Sequence, residues 1–182
     1  MVLKIVGGLL AVVFVFLGYV ASRDGNFRYE KSGDIHAPAA KIFPYLSDFK
    51  LGSQWSPYEK ADPNMKKSYE GADGQVGSKM IFESKTSGSG TIEILKIVPD
   101  QSVDLDLHMT APFEAHNLVQ YKLESAPGDV TRFTWSMSGN GGFMGKLMTT
   151  LVDCKKMLEK QFGDGIANLR AVVEAPQAAP GN

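Results

Sequence analysis

Cysteine is almost absent from this chain. Cys154 stands alone in 182 residues, which excludes an intrachain disulfide and a thiolate zinc site and leaves the redox compartment undetermined. Charge of one sign is missing too. The 19 basic side chains face 20 acidic ones, for a net charge of -1. No basic stripe breaks that balance, so no field draws the chain to nucleic acid. The three histidines, His36, His108 and His116, have neither HxxxH nor HExxH spacing, and no metal is expected. There is no GxSxG elbow to support serine hydrolysis. The stretch NGGFMGKL at 140–147 is superficially like a phosphate loop. However, Asn140 stands where the first glycine belongs, and Leu147 replaces the metal-binding Ser or Thr. Asp104 and Asp106 share one polar strand face, which suits solvation better than acid–base chemistry. These absences leave no catalytic residue and no cofactor to assign.

What is present begins with an apolar run. Ile5 to Ala21 carry no charge and are flanked by Lys4 and Arg23, a length that suits a short transmembrane helix. A cleaved signal peptide is the rival reading. The run exceeds the roughly 7 to 15 residues usual in a signal peptide, and cleavage after Ala21 would put bulky Tyr19 where a small residue is wanted. An uncleaved anchor over 1–22 is therefore expected. Two indications bear on orientation. Arg23, Arg28 and Lys31 behind the run, against Lys4 before it, favour a cytoplasmic domain. The short basic leader instead resembles a bacterial signal anchor, which leaves the domain outside the inner membrane, and that placement is the expectation. A polar linker at 23–26 and a small, Pro-rich tail at 175–182 then bracket one domain over 27–174.

Strand signals recur through that domain, each bounded by Gly, Pro or Asp. The first lies near 27–36. Pro38 then opens a short helix with Ile42, Phe43 and Leu46 on one face, limited by Pro44. VGSKMIFES alternates with Met80 and Phe82 on one side, and TSGSGT reads as a hairpin turn into TIEILKIV. In SVDLDLHMT, residues Val103, Leu105, Leu107 and Met109 share one face while Asp104, Asp106 and His108 share the other, as in a sheet wet on one side. Val119, Tyr121 and Leu123 alternate next, then Phe133, Trp135 and Met137, with PGD at 127–129 as the turn between them. From Phe143 to about Glu174 the period becomes helical, with Met144, Leu147, Leu151, Cys154, Leu158, Phe162, Ile166, Leu169 and Val173 on one stripe. One long amphipathic helix is expected there, with a bend or a close backbone approach near Gly163 and Gly165. Cys154, on that stripe, reads as a buried structural thiol.

Four pieces, IHAPAAKIFPYLSDF, WSPYEKADPNMKKSYEG, TRFTWSMSG and FGDGIANLR, carry a family likeness. Through them the chain resembles the START-like superfamily of polyketide cyclases, birch-pollen-type plant proteins and lipid-transfer domains. The resemblance is closest to the small bacterial polyketide cyclase/dehydrase and lipid-transport members. It implies an α+β helix-grip fold, a curved antiparallel sheet wrapped on a long C-terminal helix with a hydrophobic cavity between them, here preceded by the N-terminal helix. It implies no single reaction, because the superfamily includes carriers, ligand sensors, cyclases and a co-chaperone activator. Lys31 and Gly33 depart from the apolar or β-branched residues expected in the first strand.

The stretch WSPYEKADPNMKKSYEG at 55–71 has neither helical nor strand periodicity, and its WSPYEKADPNM part suits two roles. Trp55 and Tyr58 either complete the core as a rigid cap or touch a ligand at the cavity entrance. The other candidates for the cavity wall are Phe82, Leu105, Met109, Tyr121, Trp135, Leu151 and Leu158, all of which serve equally well as core. The leading expectation is a membrane-anchored domain that binds or transfers a hydrophobic small molecule or lipid. A cyclase or dehydratase using Tyr58, Tyr121 or Glu59 is a second reading. A protein-interaction domain with a collapsed cavity is a third.

Overall fold

The computed structural model describes residues 2–175. Helix α1 (Val2–Ser22) leads into strand β1 (Asn26–Ile35), followed by three short helices, α2 (Ala39–Ser47), α3 (Phe49–Gly52) and α4 (Pro57–Ala61). Six strands come next: β2 (Lys66–Glu70), β3 (Lys79–Ser84), β4 (Gly88–Val98), β5 (Ser102–Ala111), β6 (Ala115–Ala126) and β7 (Val130–Asn140). Helices α5 (Gly142–Leu151) and α6 (Cys154–Glu174) close the domain. The strands form one antiparallel sheet in the order β1-β7-β6-β5-β4-β3-β2. Every connection from β2 to β7 joins sheet neighbours, and β1 crosses to the far edge. The curved sheet and the long C-terminal helix make the helix-grip arrangement. The tail expected over 175–182 lies, beyond Ala175, outside the described residues.

The core follows from strand parity. Val103 and Leu105 of β5, Val119, Tyr121 and Leu123 of β6, and Phe133 and Trp135 of β7 are all buried on one face. Against them α6 presents Phe162, Ile166, Leu169 and Val173, spaced by three or four residues and buried. Helix α6 packs mainly on β1, and there Gly33 explains its departure from strand composition. A Cβ at Gly33 would lie 2.6 Å from Ile166 Cγ2, so only glycine lets the helix come this close. Arg170 fastens the same crossing by donating from Nε and Nη2 to the Asp34 carbonyl at 3.0 and 2.7 Å.

Four expectations need correction. The hairpin turn occupies residues 85–87, and Gly88 to Gly90 belong to β4. A Cβ at Gly88 or Gly90 would collide with the Ala111 or His108 carbonyl of β5, beside a register shift at Ser89/Gly90. These glycines permit close strand approach rather than a turn. Helix α2 continues past Pro44 to Ser47. The stretch 55–71 is not irregular throughout, since it contains α4, N-capped by Ser56 with Pro57 in its first turn, and edge strand β2. The single helix over 143–174 is two. Val152 is extended, and Asp153 accepts from the Lys156 N–H at 3.0 Å to cap a fresh helix.

That break turns α5 away from the sheet. Met144 and Leu151, expected on the inward stripe, are exposed, and α5 stands against the C-terminal end of α1. Helix α1 is long and apolar enough to cross a membrane, by length and composition. Its side chains from Val12 to Val15 are exposed, whereas Val20 is completely buried. The stretch expected as a linker is tied down as well. Arg23 donates to Thr150 Oγ1 and Lys146 Nζ to the Ala21 carbonyl, both at 3.1 Å, and the Gly141 N–H donates to the Gly25 carbonyl at 3.0 Å.

Candidate functional site: a cavity between sheet and helix

A cavity of about 380 Å³ opens between the middle of the sheet, the helices α2 to α4 and the first turns of α6. That size lies within the range of small-molecule sites. The sheet contributes alternate residues of β3 to β7. Short side chains near the β3–β4 turn, Thr86 and Ser87, and the α6 residues Met157, Leu158 and Gln161 form other parts of the wall. The wall is largely apolar because strand parity directs one face of each strand inward.

An aromatic cluster makes the floor. The Trp55 ring meets Tyr121, Phe133 and Trp135 edge-on, with centroids 5.7, 6.1 and 5.4 Å apart. Trp135 stacks on Phe162 at 4.4 Å, and Tyr58 meets it edge-on at 6.3 Å. Trp55 is held on both sides. Its Nε1 donates to the Tyr45 carbonyl at 2.7 Å, and Asn168 Nδ2 donates to the Trp55 carbonyl at 3.2 Å. The Trp55 ring fills the core and at the same time borders the cavity. A second tie comes from Asp62, just after α4. Its Oδ2 accepts from Ser84 Oγ at 2.7 Å and from the Lys85 N–H at 3.0 Å, binding the short helices to the β3–β4 hairpin.

Polar groups in this wall are few. Burial pushes the Tyr58 phenol far up, and burial together with the neighbouring Tyr58 does the same to Tyr121. Both hydroxyls therefore stay protonated at neutral pH and can donate a hydrogen bond but not act as phenolate bases. Glu59 lines the cavity but is ion-paired with Lys67. Burial opposes the Lys67 charge, the Glu59 carboxylate outweighs it, and the net shift of Lys67 is upward. Trp135 Nε1 is buried and has no hydrogen-bond partner among the described residues. The ring of Trp135 borders the cavity, but its buried nitrogen does not open onto it.

Seven of the nine residues singled out from the sequence border the cavity: Trp55, Tyr58, Phe82, Met109, Tyr121, Trp135 and Leu158. Leu105 lies elsewhere, fully buried in solid core between β4 and β6. Leu151 is also elsewhere, 64% exposed at the end of α5, because the break after it turns its helix outward. The sequence reasoning missed Met80, Leu107 and Met137 as wall residues, although strand parity with Phe82, Met109 and Trp135 carried the signal. It also missed Tyr45 and Phe49, which arrive through the short helices.

Outside the cavity, His108 and His116 are register partners on β5 and β6, with rings stacked at 4.0 Å. Glu114 lies 3.6 Å from His108, and the three groups each offer a ligand atom within 4.8 Å of the others. They could hold a metal ion if the stacked rings parted so that both nitrogens converged. Asp106 lies 3.6 Å from His116.

The geometry has a family counterpart. The profile of the family described as polyketide cyclase / dehydrase and lipid transport matches residues 26–174. The chain belongs to this family. No curated protein matches it. Solved structures share the fold at low identity. Protein MLL2253 from Mesorhizobium loti is 15% identical with a TM-score of 0.62, covering 84% of this chain and 100% of that one. The Aha1 dimer from Colwellia psychrerythraea is 15% identical with a TM-score of 0.59, over 84% of this chain and 99% of that one. Ara h 8.0201 is 17% identical with a TM-score of 0.59, over 84% and 100% respectively. At such identities the likeness establishes the fold, and function within the family has to come from the site.

Proposed function

We propose that this polyketide cyclase/dehydrase and lipid-transport family member is a membrane-anchored domain that binds a hydrophobic small molecule or lipid in the cavity between sheet and α6. The observation that carries this reading is the cavity of about 380 Å³ with its largely apolar wall. An elongated ligand would gain from apolar burial at about 25 cal/mol per Å². One acceptor on it, a carboxylate or carbonyl oxygen, would be met by the Tyr58 and Tyr121 hydroxyls. Helix α1 supports the anchoring half of the reading, since a ligand that partitions into a bilayer is then concentrated beside the domain. The short basic leader supports an inner-membrane location with the domain outside.

The family description also covers cyclisation and dehydration. Such chemistry would fall to Tyr58, Tyr121 and Glu59, but protonated phenols are poor bases and Glu59 is engaged by Lys67. Binding is therefore the better-supported role. Against a collapsed interaction domain stands the cavity itself.

Native mass spectrometry of the full chain in amphipol, followed by organic extraction of what co-purifies, tests the proposal. A defined hydrophobic adduct is expected. Tyr121→Phe, which keeps the ring and removes the O–H, should weaken it by about three- to tenfold, the value of one hydrogen bond. A protein that carries no adduct and takes up neither added fatty acid nor a flat aromatic compound would overturn it.

A further inference from the structure

Helix α5 is amphipathic in the wrong sense for a water-facing helix. At 3.6 residues per turn, Phe143, Leu147, Leu151, Met144 and Met148 share an arc of roughly 140°, and four of these five are exposed to between 37 and 64%. The polar positions turn the other way. Lys146 and Thr150 make their hydrogen bonds to the end of α1, at Ala21 and Arg23. The apolar surface continues through Val152, 44% exposed, to Met157, 49% exposed, and Met157 belongs to the cavity wall. A contiguous apolar patch of this kind on a folded domain marks an interaction surface.

Its position names the occupant. Helix α5 is fixed by hydrogen bonds to the last turn of an apolar helix long enough to cross a bilayer. An element at that level meets the headgroup boundary, where an amphipathic helix lies with its apolar face in the acyl region. Lys155 and Lys156, exposed just beyond the break, suit the phosphate level; Asp153 caps α6 and Glu159 is 3.8 Å from Lys155, so the charge contribution is modest. We infer that α5 is an in-plane membrane helix that seats the rim of the cavity at Met157 on the phospholipid surface, so that the ligand passes between acyl chains and cavity without crossing water. This rests on the anchored, ligand-binding reading above and specifies where the ligand comes from.

The test uses the full chain in vesicles of phosphatidylethanolamine and phosphatidylglycerol, with Cys154→Ala and a single nitroxide at position 14, 118, 148 or 151. Accessibility to oxygen against a water-soluble nickel chelate reads immersion depth. Labels at 148 and 151 should lie below the phosphates and the label at 118, on the opposite face of β6, in water. An immersed label at 14 with aqueous labels at 148 and 151 would overturn the inference while leaving the anchor intact. Aqueous labels at 14, 148 and 151 together would overturn both. As a second readout, Met148→Lys with Leu151→Lys should slow uptake of a pyrene-labelled fatty acid from vesicles by about tenfold or more. Its affinity, measured at equilibrium, should stay unchanged. An unaltered uptake rate in the folded variant would also overturn the inference.

Discussion

A Cβ added at Gly165 would lie 2.6 Å from Cζ3 of Trp135 and 3.2 Å from Cδ of Pro57, so this residue sets how closely α6 approaches the floor of the cavity. Gly165→Ala should cost about 1–3 kcal/mol by overpacking, read as a lower urea midpoint with an unchanged slope. Gly163→Ala is the matched control. A Cβ there meets nothing within 4 Å, and replacing a helical glycine should stabilise the protein by up to about 1 kcal/mol. Equal effects of the two substitutions would remove the close approach as the reason for Gly165. Trp135 sits at the same contact: its ring stacks on Phe162 at 4.4 Å and borders the cavity, while its N–H has no partner among the described residues.

Among the elements, the β3–β4 hairpin and the α4 segment are joined through Asp62. The hydrogen bond from Ser84 holds this carboxyl below its ordinary value of 3.8, aided by the Lys85 and Asn64 N–H groups. A depressed folded pKa contributes stability that is present above the unfolded value and lost as pH falls through the folded one. The protection factors of the Lys85 and Ser87 amides, taken relative to intrinsic exchange at each pH, should therefore fall on acidification below about pH 4, and Asp62→Asn should abolish most of that pH dependence. Asp34, lowered by its bond from Arg132, and Glu174, lowered by the His36 N–H, act at the other end of the domain. Exchange that responds equally there in Asp62→Asn would show global rather than local loosening. The strands were legible from parity, because a period of two survives any curvature of the sheet. Other elements were not. Edge strand β2, KKSYE, has no apolar alternation to show, as edge strands often lack it. The α5–α6 break was hidden because the apolar stripe runs on through it: Leu151 and Leu158 satisfy the same spacing whether they face a core or a lipid. The His108–His116 pair arises from strand register, which intervals along a sequence do not reveal.

At the scale of the whole molecule, the fold binds α1 and the domain into one body. The full chain should remain with membranes through an alkaline carbonate wash. Deletion of residues 2–22 should yield a protein that self-associates without detergent, because it opens the site of Val20 and leaves the α5 patch uncovered. A truncated protein that sediments as a monomer would count against that account. The joint itself is short and occupied: Ala21, Arg23 and Gly25 are each bonded to α5 or the residue before it. Most tethered domains sweep a volume set by their linker, whereas this one has almost no tether. With α1 in a bilayer, the cavity turns about the membrane normal and drifts sideways, but it does not reach outward. Its encounters are then two-dimensional, governed by how many molecules occupy each patch of leaflet rather than by their concentration in the surrounding water.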